Sequence, residues 1–445
     1  MAHVPIERHR LDNGLRVILS PDGRTPIVGV NLWYEVGSRH EQRGRTGFAH
    51  LFEHMMFQGS ANVGKGEHFA MVNGVGGTLN ASTWTDRTNY FETLPSHELE
   101  LALWLESDRM ASLLPAMTQE KLDNQRDVVK NERRLSVDNQ PYGTAEERMQ
   151  ALLWPEGHPY HHSTIGSMED LSAASLDDVS RFFATYYAPN NAVLTVAGDF
   201  EPGPALAAIE RHFGPIPANP DLPPAPAMEV PDSLGGEVHE VAPDQVELPR
   251  VHVAYRIPPF GSEGHQAFDV VSDLLGAGRA SRLYRSLVRD RQLAADVAAF
   301  VFPWAGGSTV LAVWATARPD VEVATLESQL LADIDRLGAD GPTDDELARV
   351  RTLHAATVEQ GLEQIGERAD RISQYACLFD QPEMVNTEIE RYDAVGAAEI
   401  RQAMAERGGP DNRLVLTYVP AEDGEDGEGG EDGDGEDGDG EEVEE

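Results

Sequence analysis

The order of apolar and polar positions divides this chain into strands and helices that recur in the same sequence. Residues 11–19 hold Asn13-Gly14 between two extended runs, a strong hairpin signal, and 27–36 is a second β-rich run. The polar stretch 37–46 leads into 48–57, which reads as a helix. Its Ala49, Leu51, Phe52, Met55 and Met56 predict burial. A loop at 59–65 and a short helix at 68–72 follow, and then a Gly-rich bend with strands over 76–91. Residues 119–137 predict an amphipathic helix with the apolar stripe Leu122, Val128, Val129 and Leu135. Gln125 and Glu132 fall inside that stripe, and Asp123 and Asp127 fall on the solvated side.

A repeat fixes the architecture. A helix at 176–187 is followed by Pro189-Asn190-Asn191 and a strand, and the same order returns as a helix at 400–406 followed by Pro410-Asp411-Asn412 and a strand. Residues 251–257 would match 27–36, 266–275 the first buried helix, and 344–374 the Glu132 region. The expected fold is α/β (α+β): two homologous lobes, each an antiparallel sheet packed with helices. The expected boundaries are 1–215, a Pro-rich linker at 216–240, 241–420, and a disordered acidic tail at 421–445.

Three side chains on the 48–57 helix could carry a reaction. At about 100° per residue, His50 and His54 lie one turn apart on one face, with Glu53 beside them. Two such imidazoles can hold one zinc ion, and the carboxylate can act on a water next to it. The plain alternative is a pair of core histidines with an incidental glutamate. Glu132 is the best third ligand, because a carboxylate within an apolar stripe must be paired or bind a metal; its alternative is a structural partner for an arginine. The second lobe has no His pair over 266–275. His158, His161 and His162 stand in a Pro/Gly loop and read as loop and surface residues.

Composition narrows the function. The chain has 445 residues, is 40% hydrophobic and carries a net charge of -41. Fifteen of its acidic residues lie in the tail, and -41 + 15 leaves -26 on the body. This excess acidity argues against nucleic acid and anionic membranes. No apolar run has signal-peptide or membrane-spanning length, so a cytoplasmic protein is expected. The single cysteine, Cys377, excludes an internal disulfide and any multi-cysteine metal site, and is expected to pack within a helix.

Taken together, these residues resemble the pitrilysin family of zinc metallopeptidases, especially the bacterial members related to mitochondrial processing peptidase. His50-Leu51-Phe52-Glu53-His54 looks like the family's inverted zinc motif, and Glu132, with 77 residues between it and His54, sits close to the spacing of its third ligand. The 77–83 stretch, with Asn80 and Ala81, resembles the edge strand that binds substrate backbone, and 139–143 a turn of the bacterial relatives. The resemblance implies Zn2+, peptide or partly unfolded substrates, and a dimer with a related metal-free subunit or with itself. Two positions depart from the pattern. Gln125 stands where a second glutamate is frequent, and can support the site only by hydrogen bonding. Arg289 resembles a substrate-holding arginine of the second half, but Ala295 or Asp296 stands where a tyrosine is expected. The expected function is a zinc endopeptidase with Glu53 as its base. The rivals are a non-catalytic peptide-binding or assembly subunit and a structural metal protein.

Overall fold

The computed structural model describes residues 3–421, so the tail expected over 421–445 lies, but for Ala421, outside the described residues. The first sheet contains β1 (Glu7–Arg10), β2 (Arg16–Pro21), β3 (Ile27–Tyr34), β4 (Thr78–Thr83), β5 (Thr88–Pro95) and β6 (Ala192–Gly198), in the order β1-β2-β6-β3-β5-β4. The second contains β7 (Val238–Asp244), β8 (Arg250–Ile257), β9 (Ala294–Val301), β10 (Thr309–Ala317) and β11 (Arg413–Pro420), in the order β7-β11-β8-β10-β9. With β1 set aside, both sheets follow one path, as the repeat predicts. Neither is wholly antiparallel: β2 runs parallel to β6, and β7 parallel to β11. In both cases the last strand returns only after a long connection that carries helices, the length a parallel partner requires.

β3 is buried along nearly its whole length, which explains its near-continuous apolar run. Val28, Val30, Leu32 and Tyr34 face one core, with Leu51, Phe52 and Met55 of the histidine helix. Gly29, Asn31 and Trp33 face the other way, against the helix Ile365–Phe379 from the second half of the chain. There Asp370 Oδ1 accepts from Asn31 Nδ2 and Trp33 Nε1, both at 3.0 Å, and from Asn89 Nδ2 at 2.9 Å. A Cβ at Gly29 would come within 3.2 Å of the Ile365 carbonyl oxygen, so glycine permits this approach. Cys377 is buried in the same helix, against the sheet.

The second sheet has the reciprocal arrangement. Helix Ala145–Leu153, from the first half, places Ala145, Met149 and Leu153 against Ala254, Ala312, Leu414 and Leu416. Each half therefore covers one face of the other's sheet. The region 344–374 is two helices, Asp344–Glu363 and Ile365–Phe379, because the chain breaks at Gln364 to turn onto the first sheet.

The Glu132 region differs from its sequence reading. Its α-helix is Gln119–Arg133, followed by a π-helical turn, Arg134–Asp138. Leu122, Gln125 and Val129 are buried, but Val128 and Leu135 are exposed. The helix packs on its neighbours through only part of the expected stripe, and its last turns project past them. Among the described residues no helix is long and apolar enough to cross a membrane.

Candidate metal centre

The histidine helix, Phe48–Met55, starts from Gly47 at φ 83°, where an added Cβ would sit 2.6 Å from the Ile165 carbonyl oxygen. Its first amides are held by a residue that sequence reasoning missed. Glu41 accepts from Gly47 N at 2.9 Å and from Ala49 N at 2.7 Å, which places a carboxylate at the positive end of the helix. His162 Nε2 lies 2.9 Å from the same carboxylate, so this histidine braces the metal helix. His158 is buried too, with Nε2 3.2 Å from the Met228 carbonyl oxygen, and His161 Nδ1 lies 2.8 Å from that of Trp154. The three lie in a loop as expected but engage backbone and carboxylate oxygens within the fold, which corrects their reading as surface groups. Glu41 stands six and eight residues before the amides it holds, in a polar stretch where no periodicity marks it, and His162 comes from 121 residues away.

His50 and His54 bring their Nε2 atoms to 3.3 Å of one another. Glu132 meets them from the facing helix, with Oε1 3.6 Å from His50 Nε2 and Oε2 3.3 Å from His54 Nε2. All three ligand atoms lie within 4.8 Å of one another. Two imidazole nitrogens and a carboxylate are the donor set of an open zinc site, and their convergence fits a divalent cation. Burial and the neighbouring His54 push His50 down to about 4, so it is neutral and free to donate its lone pair. Burial opposes charge on His54, but the hydrogen bond to Glu132 and the nearby Glu53 outweigh it and raise its pKa. That same bond, with help from His50, lowers Glu132.

Glu53 lies beside this set. Its Oε2 accepts from Thr83 Oγ1 at 2.7 Å. Burial raises its pKa against the pull of that hydrogen bond. Thr83 ends β4, the outer strand of its sheet, which pairs only with β5. Asn80 and Ala81 lie on β4 opposite Phe91 and Tyr90. Gln125 is buried, donates to Asn124 Oδ1 at 3.0 Å and hydrogen-bonds His54. Arg289 is not brought to the set. It is exposed in the second half, where its Nε lies 2.7 Å from Oδ1 of the adjacent Asp290. Ala295 and Asp296 stand on β9, the outer strand of the second sheet.

A second cluster, fully buried, went unnoticed in the sequence. His68 Nε2 is 3.1 Å from Glu92 Oε1, and Arg109 forks onto both oxygens of Glu106. Burial pushes Glu106 up to about 8 and His68 down to about 4. Because Arg109 already engages both oxygens of Glu106, this is a charge network rather than an open ligand set.

A two-lobed α/β chain that converges two histidines and a glutamate beside a further glutamate defines a metallopeptidase type of centre. The chain belongs to the insulinase family, peptidase family M16: the family's profile matches residues 16–161, and that of its inactive domain matches 173–353. It is 32% identical over 368 residues to a zinc protease, PqqE, of Helicobacter pylori, with 82% of each chain covered. It is 28% identical over 255 residues to the mitochondrial-processing peptidase subunit beta of Lentinula edodes, which covers 56% of this chain and 53% of that one. The crystal structure of a protease from Helicobacter pylori superposes with a TM-score of 0.88 at 28% identity, covering 94% of this chain and all of the other.

Proposed function

We propose that this chain is a zinc-dependent endopeptidase that cleaves peptides or partly unfolded polypeptides. The observation that carries this reading is the convergence of His50, His54 and Glu132 within 4.8 Å beside Glu53. Zinc held by those three residues supplies a Lewis acid that acidifies water and polarises a carbonyl oxygen. Glu53 takes a proton from the attacking water and returns it to the leaving amide nitrogen, its raised pKa strengthening it as a base for the first transfer. Thr83 fixes one carboxylate oxygen of Glu53, and β4 offers an unpaired edge to which an extended peptide can add as a strand. Gln125 steadies His54.

A non-catalytic binding subunit would have no need of Glu53 beside a complete ligand set. A partner subunit is also part of this reading, because Arg289 turns to Asp290 and leaves the metal set without a substrate-holding arginine from its own chain. The test is metal analysis alongside cleavage of an internally quenched peptide. Glu53→Gln is expected to retain about one zinc per chain and to lose hydrolysis by at least about a hundredfold. His50→Ala and His54→Ala are expected to lose both metal and activity. Undiminished cleavage by Glu53→Gln would overturn the mechanism.

A further inference from the structure

Arg87 is a half-buried cation in the turn between β4 and β5. Its guanidinium lies 4.8 Å from the ring centre of the buried Trp33 and 5.7 Å from that of Trp84. Burial lowers its pKa to about 10, so it keeps its charge at neutral pH. A guanidinium drawn this far out of water usually pairs with a carboxylate. Arg87 instead bonds neutral oxygens through Nη1: the Ser82 carbonyl at 2.8 Å, Asn89 Oδ1 at 2.9 Å, and the Ser82 hydroxyl. The carboxylates that its charge feels most are Asp370 and Glu53, one on the second half of the chain and one the candidate base.

Hydrogen bonds trace the same connection. Asp370 Oδ1 accepts from Asn89 Nδ2 at 2.9 Å and from Trp33 Nε1 at 3.0 Å. These are the side chain that Arg87 bonds and the ring over which it lies. On the other side Arg87 holds Ser82, and the next residue, Thr83, donates to Glu53 Oε2 at 2.7 Å. Contacts therefore run from Asp370 on the helix Ile365–Phe379, through Asn89 and Arg87, to Ser82, Thr83 and Glu53.

The end of β4 needs such a tether. It is the outer strand, and β5 is its one neighbour in the sheet, so it is held from one side. A reacting group must stay within about 0.5 Å of its working position, and a displacement of about 1 Å can cost about a hundredfold in rate. The Thr83 hydroxyl can fix Glu53 only as firmly as the strand fixes Thr83.

We propose that Arg87 is a positioning residue for the base: anchored to Asp370 of the second half through Asn89 and Trp33, it fixes the end of β4 so that Thr83 holds Glu53 in place beside the ligand set. This inference rests on the peptidase reading and gives the half without metal ligands a part in the same site.

The test compares Arg87→Gln, Arg87→Lys and Thr83→Val as full-length, zinc-loaded chains. Arg87→Gln should lower kcat toward a quenched peptide at least about threefold, with KM within about twofold of the wild type and zinc near one per chain. In the Thr83→Val background the same change should cost less than about threefold, because its route to Glu53 is already cut. Arg87→Lys keeps the charge but offers a single nitrogen, so its kcat should fall between those of the wild type and Arg87→Gln. It carries the same comparison in both backgrounds if Arg87→Gln fails to fold.

Amide hydrogen exchange reads the contact without any cleavage. Residues 78–84 should exchange faster in both Arg87 variants, by at least about tenfold in Arg87→Gln, with residues 48–55 unchanged. If the wild-type chain cut no peptide, the peptidase reading alone would fall, and exchange would decide whether Arg87 holds β4. A kcat loss below about threefold, loss of zinc together with kcat, or a full-size loss in the Thr83→Val background overturns the proposal. So does a wild-type kcat in Arg87→Lys, which would assign the effect to charge alone, or unchanged exchange over 78–84.

Discussion

At the scale of single residues, one hydroxyl tunes the Glu53 carboxyl. Thr83 Oγ1 donates to Glu53 at 2.7 Å, and this bond lowers a carboxyl pKa that burial raises. Removing the donor leaves burial opposed only by the charges of His54 and Arg87, so the proton of Glu53 is held to higher pH. Thr83→Val should therefore move the acid limb of the kcat/KM profile upward in pH, with rate at neutral pH falling by up to about tenfold. The zinc content should stay near one per chain, because Thr83 touches no ligand. A profile superimposable on the wild type would show that Thr83 only ends a strand. This residue escaped the sequence reading because threonine suits any strand, and its partner stands 30 residues earlier.

At the scale of elements, buried polar groups hold the helices around the site in register. His68, Glu92, Glu106 and Arg109 join the helix Glu67–Gly74, β5 and the helix Leu99–Ser112. Glu106 is raised from 4.5 to about 8, so its contribution to stability is complete below pH 4.5 and is lost as pH rises to about 8. His68 is lowered from 6.5 to about 4, so its contribution is complete above pH 6.5 and is lost as pH falls through about 4. Glu106→Gln keeps a neutral hydrogen-bonding side chain beside Arg109 and should differ little in Tm from the wild type at pH 5. Toward pH 8 the wild type should fall relative to the variant, because the glutamine has no ionisation to suppress. A gap constant across pH 5 to 8 would show that Glu106 does not titrate in the folded chain. Sequence periodicity could not find this cluster: only Glu106 and Arg109 share an element, and His68 and Glu92 come from two others.

At the scale of the whole molecule, the two halves exchange helices. Ile365–Phe379 closes the sheet next to the metal helix, and Ala145–Leu153 closes the second sheet, so neither half covers its sheet alone. In the second half, Arg289 pairs with the adjacent Asp290. We expect full activity to require orienting donors from a related, metal-free subunit. Assay of the purified chain alone, then with its nearest metal-free relative from the same genome, should show a gain of at least about tenfold on mixing. Full activity of the lone chain with no gain would leave this chain self-sufficient.

The sequence by itself determined the local chemistry and the plan of the fold. His50, Glu53 and His54 needed only helical spacing to share a face, and the recurring helix, Pro-x-Asn turn and strand needed only comparison of the chain with itself. These features are local, or copied, and survive without knowledge of contacts. What the tertiary structure decided is what surrounds each element. The apolar stripe around Glu132 predicts a buried carboxylate in need of a partner, yet Val128 and Leu135 beside it are exposed, since burial depends on which helices arrive from elsewhere. His162 on Glu41, Thr83 on Glu53 and Asp370 on β3 are each set by contacts between distant segments. A one-dimensional pattern states which face of an element is apolar, and only packing in three dimensions states what, if anything, lies against it.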